Sequence, residues 1–145
     1  MKRLAALLLA LMLGTGACLA EALPTFAALT GFDAFEARLA AGDEIESVYY
    51  TDGFGFSTSE FTTTDPDEIA ALIDALGQIE VVARTDEAIT DWYPQIVFKL
   101  GEDDWFRVSF NKQWLMIDGM DNYVVEGDGP FWALTAELVQ KYMPE

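Results

Sequence analysis

Between Gln95 and Val125 the chain places apolar side chains at every second position, interrupted by short clusters of turn residues. Ile96, Phe98 and Leu100 alternate with Gln95, Val97 and Lys99; after Gly101-Glu102-Asp103-Asp104, Phe106, Val108 and Phe110 alternate with Trp105, Arg107 and Ser109. A period of two marks a strand with one buried face, because neighbouring side chains leave the pleat on opposite sides. Trp114 to Ile117, a turn over Asp118 to Asn122, and Tyr123-Val124-Val125 extend the run to four consecutive strands. Strands joined by such short turns run antiparallel, so the pattern predicts a β-meander.

Helical periods flank the meander. Asp65-Pro66-Asp67-Glu68 puts a carboxylate at the N-cap, proline in the first turn and Glu at the third helical position. Ile69, Leu72, Ile73 and Leu76 then recur at helical spacing up to Gly77. Asp33-Ala34-Phe35-Glu36 reads as a second start of this kind, with Asp33 as cap and Gly42 as stop. Gly129-Pro130 opens a third helix, striped by Phe131, Leu134, Leu138 and Tyr142, with Lys141 where the helix dipole favours a cation. Ser47 to Tyr50, a turn at Thr51-Asp52-Gly53 and a Phe- and Thr-rich run from Phe54 to Thr63 form an expected hairpin. Ile79 to Ala83 reads as a further strand, and Arg84 to Asp91 as an irregular acidic connection. The expected fold class is α+β: an antiparallel meander sheet packed against two to three helices.

At the start of the chain, Lys2 and Arg3 precede a Leu- and Ala-rich run from Leu4 to Leu13, a charge step and apolar core of the kind that directs export. The run is too short for a bilayer-spanning helix, which needs roughly 20 residues, so the mature form is expected to have no transmembrane segment. Two processing routes are open. Cys18-Leu19-Ala20 before Glu21 offers the small residues that signal peptidase reads, leaving a signal peptide over 1–20 and one acidic domain over 21–145. Thr15-Gly16-Ala17-Cys18 resembles a bacterial lipoprotein signal, with Thr15 where Leu is usual, and would put lipid on Cys18. Both routes place the protein outside the cytoplasm: secreted, periplasmic or lipid-anchored. Cys18 is the sole cysteine, so no intrachain disulfide can form and packing has to hold the domain.

Eight Lys and Arg stand against 25 Asp and Glu, a formal net charge of −17 at pH 7. Nucleic acid is excluded as a partner class, because phosphate binding needs clustered Lys and Arg; an anionic membrane surface is disfavoured for the same reason. The charge gives solubility and self-repulsion, and it also suits a cationic partner.

Thr64-Asp65-Pro66-Asp67-Glu68-Ile69, followed by Leu72, Leu76 and Ile79 and then a meander carrying Phe98, Phe110 and Tyr123, is similar to small exported domains of unknown function from Gram-positive bacteria. The resemblance spans roughly Ser47 to Tyr123. It implies the fold and an extracytoplasmic location, and brings no catalytic residues with it.

The chain has no histidine, the commonest general base, and no thiol beyond Cys18, so Ser-His-Asp and Cys-His mechanisms are excluded. A zinc site would need His or Cys or an all-carboxylate set. Gly53-Phe54-Gly55 lacks the remaining residues of a phosphate loop. Paired carboxylates are what remains for catalysis; Glu60, Asp91 and Asp118 are candidates for the acid/base pair of a glycoside hydrolase, although spacing does not distinguish them from caps or solvated charges. Glu102-Asp103-Asp104 and Asp118 to Asp121 could offer oxygen ligands to calcium, but neither follows the EF-hand pattern and turn chemistry accounts for both. No cofactor is implied.

The aromatic residues carry the remaining signal. Trp105 has the opposite parity to Phe106, Val108 and Phe110 and so points away from the main core. If Trp114 shares its face, with Arg107 between them, the sheet offers a flat apolar platform with a charged contact, suited to a peptide or a sugar ring. The alternative is that helices cover both faces, or that the tryptophans are cross-strand pairs stabilising the sheet. The expected function is an exported, non-catalytic binding or protein-interaction module of the bacterial envelope or exterior, meeting an unknown protein, peptide or glycan through Trp105, Arg107 and Trp114. A small carboxylate-dependent glycoside hydrolase and an acidic inhibitor of a cationic protein are the competing classes.

Overall fold

The computed structural model describes residues 22–53, 59–86, 92–102, 104–111, 113–117 and 121–143. The expected signal segment with Cys18, the candidate carboxylates Asp91 and Asp118, and Phe54 at the start of the expected second hairpin strand lie outside the described residues.

Seven strands form one sheet: β1 (Ser47–Thr51), β2 (Glu60–Thr63), β3 (Glu80–Thr85), β4 (Gln95–Gly101), β5 (Asp104–Asn111), β6 (Trp114–Ile117) and β7 (Asp121–Glu126). Their spatial order is β2-β1-β4-β5-β6-β7-β3, and every neighbouring pair is antiparallel. The expected meander, β4 to β7, is the contiguous centre. The β1–β2 hairpin extends one side, with Tyr50 opposite Ile96, and β3 closes the other side against β7. Four helices complete the described fold: α1 (Phe26–Thr30), α2 (Phe32–Ala40), α3 (Pro66–Leu76) and α4 (Gly129–Tyr142). Among the described residues, no helix is long and apolar enough to cross a membrane.

Several boundaries depart from the expectation for local reasons. Gly31, not Asp33, caps α2: its φ of 76° ends α1 and starts α2, so one apolar stretch becomes two helices. The sequence reading did not anticipate α1, whose cap is Thr25 Oγ1 accepting from the Ala28 amide at 3.1 Å. Strand β3 continues through Arg84 and Thr85, beyond the expected end at Ala83 and into the expected irregular connection; a register shift between Val81 and Ala83 keeps it paired with β7. β7 begins at Asp121, opposite Ile117, within the expected turn. On α4 the buried stripe is Phe131, Thr135 and Leu138, while Tyr142 is 39% exposed. Thr135 can be buried because its hydroxyl donates to the Trp132 carbonyl at 3.1 Å.

The strongest helix start behaves as expected at its cap and differently one turn on. Asp65 Oδ1 accepts from the Asp67 amide at 2.9 Å and the Glu68 amide at 3.5 Å, with Pro66 in the first turn. Glu68 does not return to the cap, because the Asp65 amide already donates to Thr63 Oγ1 at 3.0 Å. The Glu68 carboxylate instead accepts from the Thr63 and Tyr142 hydroxyls and the Lys141 ammonium, joining β2, α3 and α4.

The core lies on one side of the sheet. Phe98, Phe110, Leu115 and Val48 are fully excluded from water there, and α2 delivers Phe35 onto Phe106, stacked at 4.3 Å, and onto Phe98 at 5.3 Å. α4 sets Phe131 against Phe110 at 5.4 Å, while α3 buries Ile69, Leu72 and Leu76.

Candidate binding surface on the open sheet face

Strand alternation sends the other half of the side chains to the opposite face. The cross-strand register aligns Tyr49, Val97 and Arg107 in one row and Ser47, Lys99 and Trp105 in the next. Strands lie about 4.8 Å apart and same-face neighbours on a strand about 7 Å apart, so Trp105, Arg107, Val97 and Tyr49 form one compact patch. Trp105 is 57% exposed and Tyr49 38% exposed. The Tyr49 hydroxyl donates to Glu60 Oε2 at 2.8 Å. That carboxylate, and then partial burial, hold the phenol above its ordinary range, so it stays neutral.

Beside this patch the described pairing of β5 with β6 is short. The Phe110 amide donates to the Pro94 carbonyl at 2.8 Å, which fixes the hydrogen-bond phase of β5: Phe106, Val108 and Phe110 bond toward β4, whereas Trp105, Arg107 and Ser109 direct their backbone groups toward β6. The β6 pairing covers only Ser109 to Asn111. Among the described residues, Trp105 and Arg107 therefore carry a stretch of β5 without a strand partner on that side. A cleft of about 350 Å³ opens next to it, lined by Leu29, Thr30, Gln95, Arg107, Ser109 and Met116.

Arg107 is the charged member of that lining, and it differs from the other cations. Arg38 pairs with Asp43 at 2.7 Å and Asp104 at 2.6 Å, Arg84 with Asp121 at 3.0 Å, Lys99 with Glu46 at 3.0 Å, and Lys141 with Glu68. Among the described residues Arg107 alone of the Lys and Arg side chains makes no ion pair, in a chain with 25 carboxylates.

Trp114 does not join the patch. It stands opposite Asn111, on the same face as Trp105 but six residues further along, about 20 Å at strand rise. It is half-buried, in a region where Asn111 and Asn122 are buried too. The single platform expected of the two tryptophans is thus replaced by a Trp105–Arg107 patch and a separate, half-buried Trp114.

Of the candidate carboxylates, Glu60 lies on the short edge strand β2 under the Tyr49 hydroxyl. Of the residues considered for calcium, Asp103 and Asp118 to Met120 lie outside the described residues. Asp104 is engaged by Arg38 through two hydrogen bonds of 3.1 and 2.6 Å, and that guanidinium holds its carboxyl below the usual range.

The structure also assembles a cleft that the sequence did not indicate, about 440 Å³ between α4, the end of β1 and the segments carrying Ser59 and Trp92, with Trp92 and Trp132 in its wall. Trp132 sits one place off the apolar stripe of α4 and Trp92 closes a connection without periodicity, so no local pattern links them.

No protein-family model, curated protein or solved structure matches the chain. What fold and surface define is an α+β domain with one sheet face covered by helices and the other carrying an aromatic and cationic patch.

Proposed function

We propose that the protein is a non-catalytic binding module working outside the cytoplasm, and that Trp105 and Arg107 form its contact surface. The observation that carries this reading is the unpaired Arg107 beside an exposed indole. Arg and Trp are the side chains most often found to dominate binding energy, and an acidic chain that pairs its other described cations has left this one available. The occupant that fits best is an extended segment of a partner protein with one carboxylate next to an apolar side chain. Its carboxylate would bond to Arg107 and its apolar group would rest on Trp105. The Lys2-Arg3 charge step, the Leu4 to Leu13 run and the resemblance to exported domains support the location.

Peptide and glycan arrays probed with wild type, Trp105→Ala and Arg107→Glu test the reading. Selected peptides should be lost with either substitution and partly regained with Arg107→Lys. Binding indifferent to both substitutions, capture of glycans alone, or turnover abolished by one Asp or Glu substitution would contradict it. Intact mass of the exported form tests the location: the mature chain should begin at Glu21, and a diacylglycerol adduct on Cys18 would make it lipid-anchored instead.

A further inference from the structure

The cleft between α4, the end of β1 and the segment carrying Trp92 is built from side chains that the surrounding structure holds in place. Trp132 is fixed by its Nε1–H, which donates to Asp128 Oδ2 at 2.6 Å, and by edge contacts with Phe110 and Phe131, each at 4.9 Å. Trp92 leans on it, with ring centroids 6.4 Å apart and planes 39° from parallel. Across from them, Asp52 is locked into its turn: its amide donates to the Ser59 carbonyl at 2.9 Å, and its Oδ1 accepts from the Ser59 amide at 3.0 Å. The next residue, Gly53, has φ 59° and packs so closely on the Tyr93 carbonyl that a Cβ would collide with it. The turn carrying Asp52 is thereby clamped against the segment carrying Trp92.

The chemistry of the lining is selective. Among the described residues that line it, Asp52 is the one acidic side chain and none is Lys or Arg. Tyr50 is neutral, since burial, partly offset by a hydrogen bond with Thr135, pushes its hydroxyl up to about 12. The remaining walls are mainly apolar, including Val139 and Ala136, and the Thr135 hydroxyl is already committed to the Trp132 carbonyl. Among the described residues Ser59 and Gln140 are the further polar side chains of this mainly apolar wall, and the Asp52 charge repels anions. Such a wall suits a cation whose charge is surrounded by methyl groups, which asks for no hydrogen bonds and is attracted by indole faces and a carboxylate together.

We propose that this cleft is a binding site for an organic cation of the quaternary ammonium class, held by Trp92 and Trp132 and neutralised by Asp52. The inference is independent of the Trp105–Arg107 patch.

Calorimetric titration of the purified protein with choline, and with 3,3-dimethyl-1-butanol as its uncharged isostere, tests it at ionic strength matched with NaCl. Choline should saturate a single site and bind at least about tenfold more tightly than the isostere, as expected for a cation–π contact reinforced by a carboxylate. Asp52→Asn preserves the acceptor for the Ser59 amide and should weaken choline about tenfold while the circular dichroism of the fold is unchanged. Trp92→Ala should weaken it likewise, with Trp92→Phe retaining most of the binding. Equal affinity for choline and the isostere, choline binding indifferent to both Asp52→Asn and Trp92→Ala, absence of a saturable signal, or saturation by glucose in place of choline would each overturn the assignment.

Discussion

The two faces of the sheet are made by the same strands and differ in almost everything else. On the helix side, Phe98 and Phe110 are wholly excluded from water and Phe106 stacks on Phe35; on the other side, their chain neighbours Val97, Lys99, Arg107 and Trp105 meet solvent to varying degrees. Adjacent residues thus have opposite fates because the pleat alternates, and the aromatic contacts of α2 and α4 with the sheet fall on the Phe98, Phe106 and Phe110 side. The difference teaches that stability and recognition are carried by separate surfaces here. A side chain on the covered face can be judged by the cavity it would leave, and one on the open face by what it offers to a partner. Single exposed apolar residues are ordinary on any protein; the Trp105 face is distinguished by the cation beside it, which makes no ion pair among the described residues.

The comparison predicts an ordering of substitutions. The largest loss belongs to the covered face: Phe98→Ala and Phe110→Ala should each cost about 3–5 kcal/mol in urea denaturation, and a loss below about 1 kcal/mol would mean that the helices do not pack where described. Next comes the polar tie at the margin of that face. Burial alone would raise the Glu68 carboxyl, but the Lys141 ammonium and the Thr63 and Tyr142 hydroxyls together hold it below its usual value. A carboxyl with a depressed folded-state pKa adds stability that is present above its unfolded value and lost as pH falls through the folded one. Glu68→Gln should therefore cost about 1–3 kcal/mol at pH 7, and the gap to wild type should close as pH drops below about 4. A gap that persists at low pH would show that the charge of Glu68 is not what joins β2, α3 and α4.

A smaller effect tests the start of α3. Asp65→Ala removes the acceptor for the Asp67 and Glu68 amides and should cost about 1 kcal/mol; an unchanged midpoint would show that Thr63 and Glu68 hold this end of the helix without it.

Much of the covered face was legible in the sequence, because burial writes itself as period. The alternation through Ile96, Phe98, Val108 and Phe110 set the strands and their inward side, and the Asp65 cap with Ile69, Leu72 and Leu76 set α3. What was not legible depends on long-range placement. Nothing local places β3 beside β7, or separates Trp105 from Trp114 by a strand length when both have the same parity. Gly31 looks like any loop glycine until its left-handed φ divides α1 from α2. Glu68 fits a capping box on spacing alone, and its real partners arrive from Tyr142 and Lys141 at the far end of the chain. The clefts beside Arg107 and beside the Trp92–Trp132 pair were invisible for the same reason, since each gathers side chains from elements far apart in sequence.

The claim that one face holds the fold and the other is free to bind is tested most directly by one paired measurement, the urea denaturation of Trp105→Ala beside that of Phe106→Ala. The residues are chain neighbours and both are large aromatics, so strand parity is the main thing that separates them. Phe106→Ala should lose about 3 kcal/mol through its packing on Phe35, Phe32 and Phe98, and Trp105→Ala less than about 1 kcal/mol, as expected for a surface position. Equal and large losses from both would place Trp105 in the core and contradict the division between the two faces.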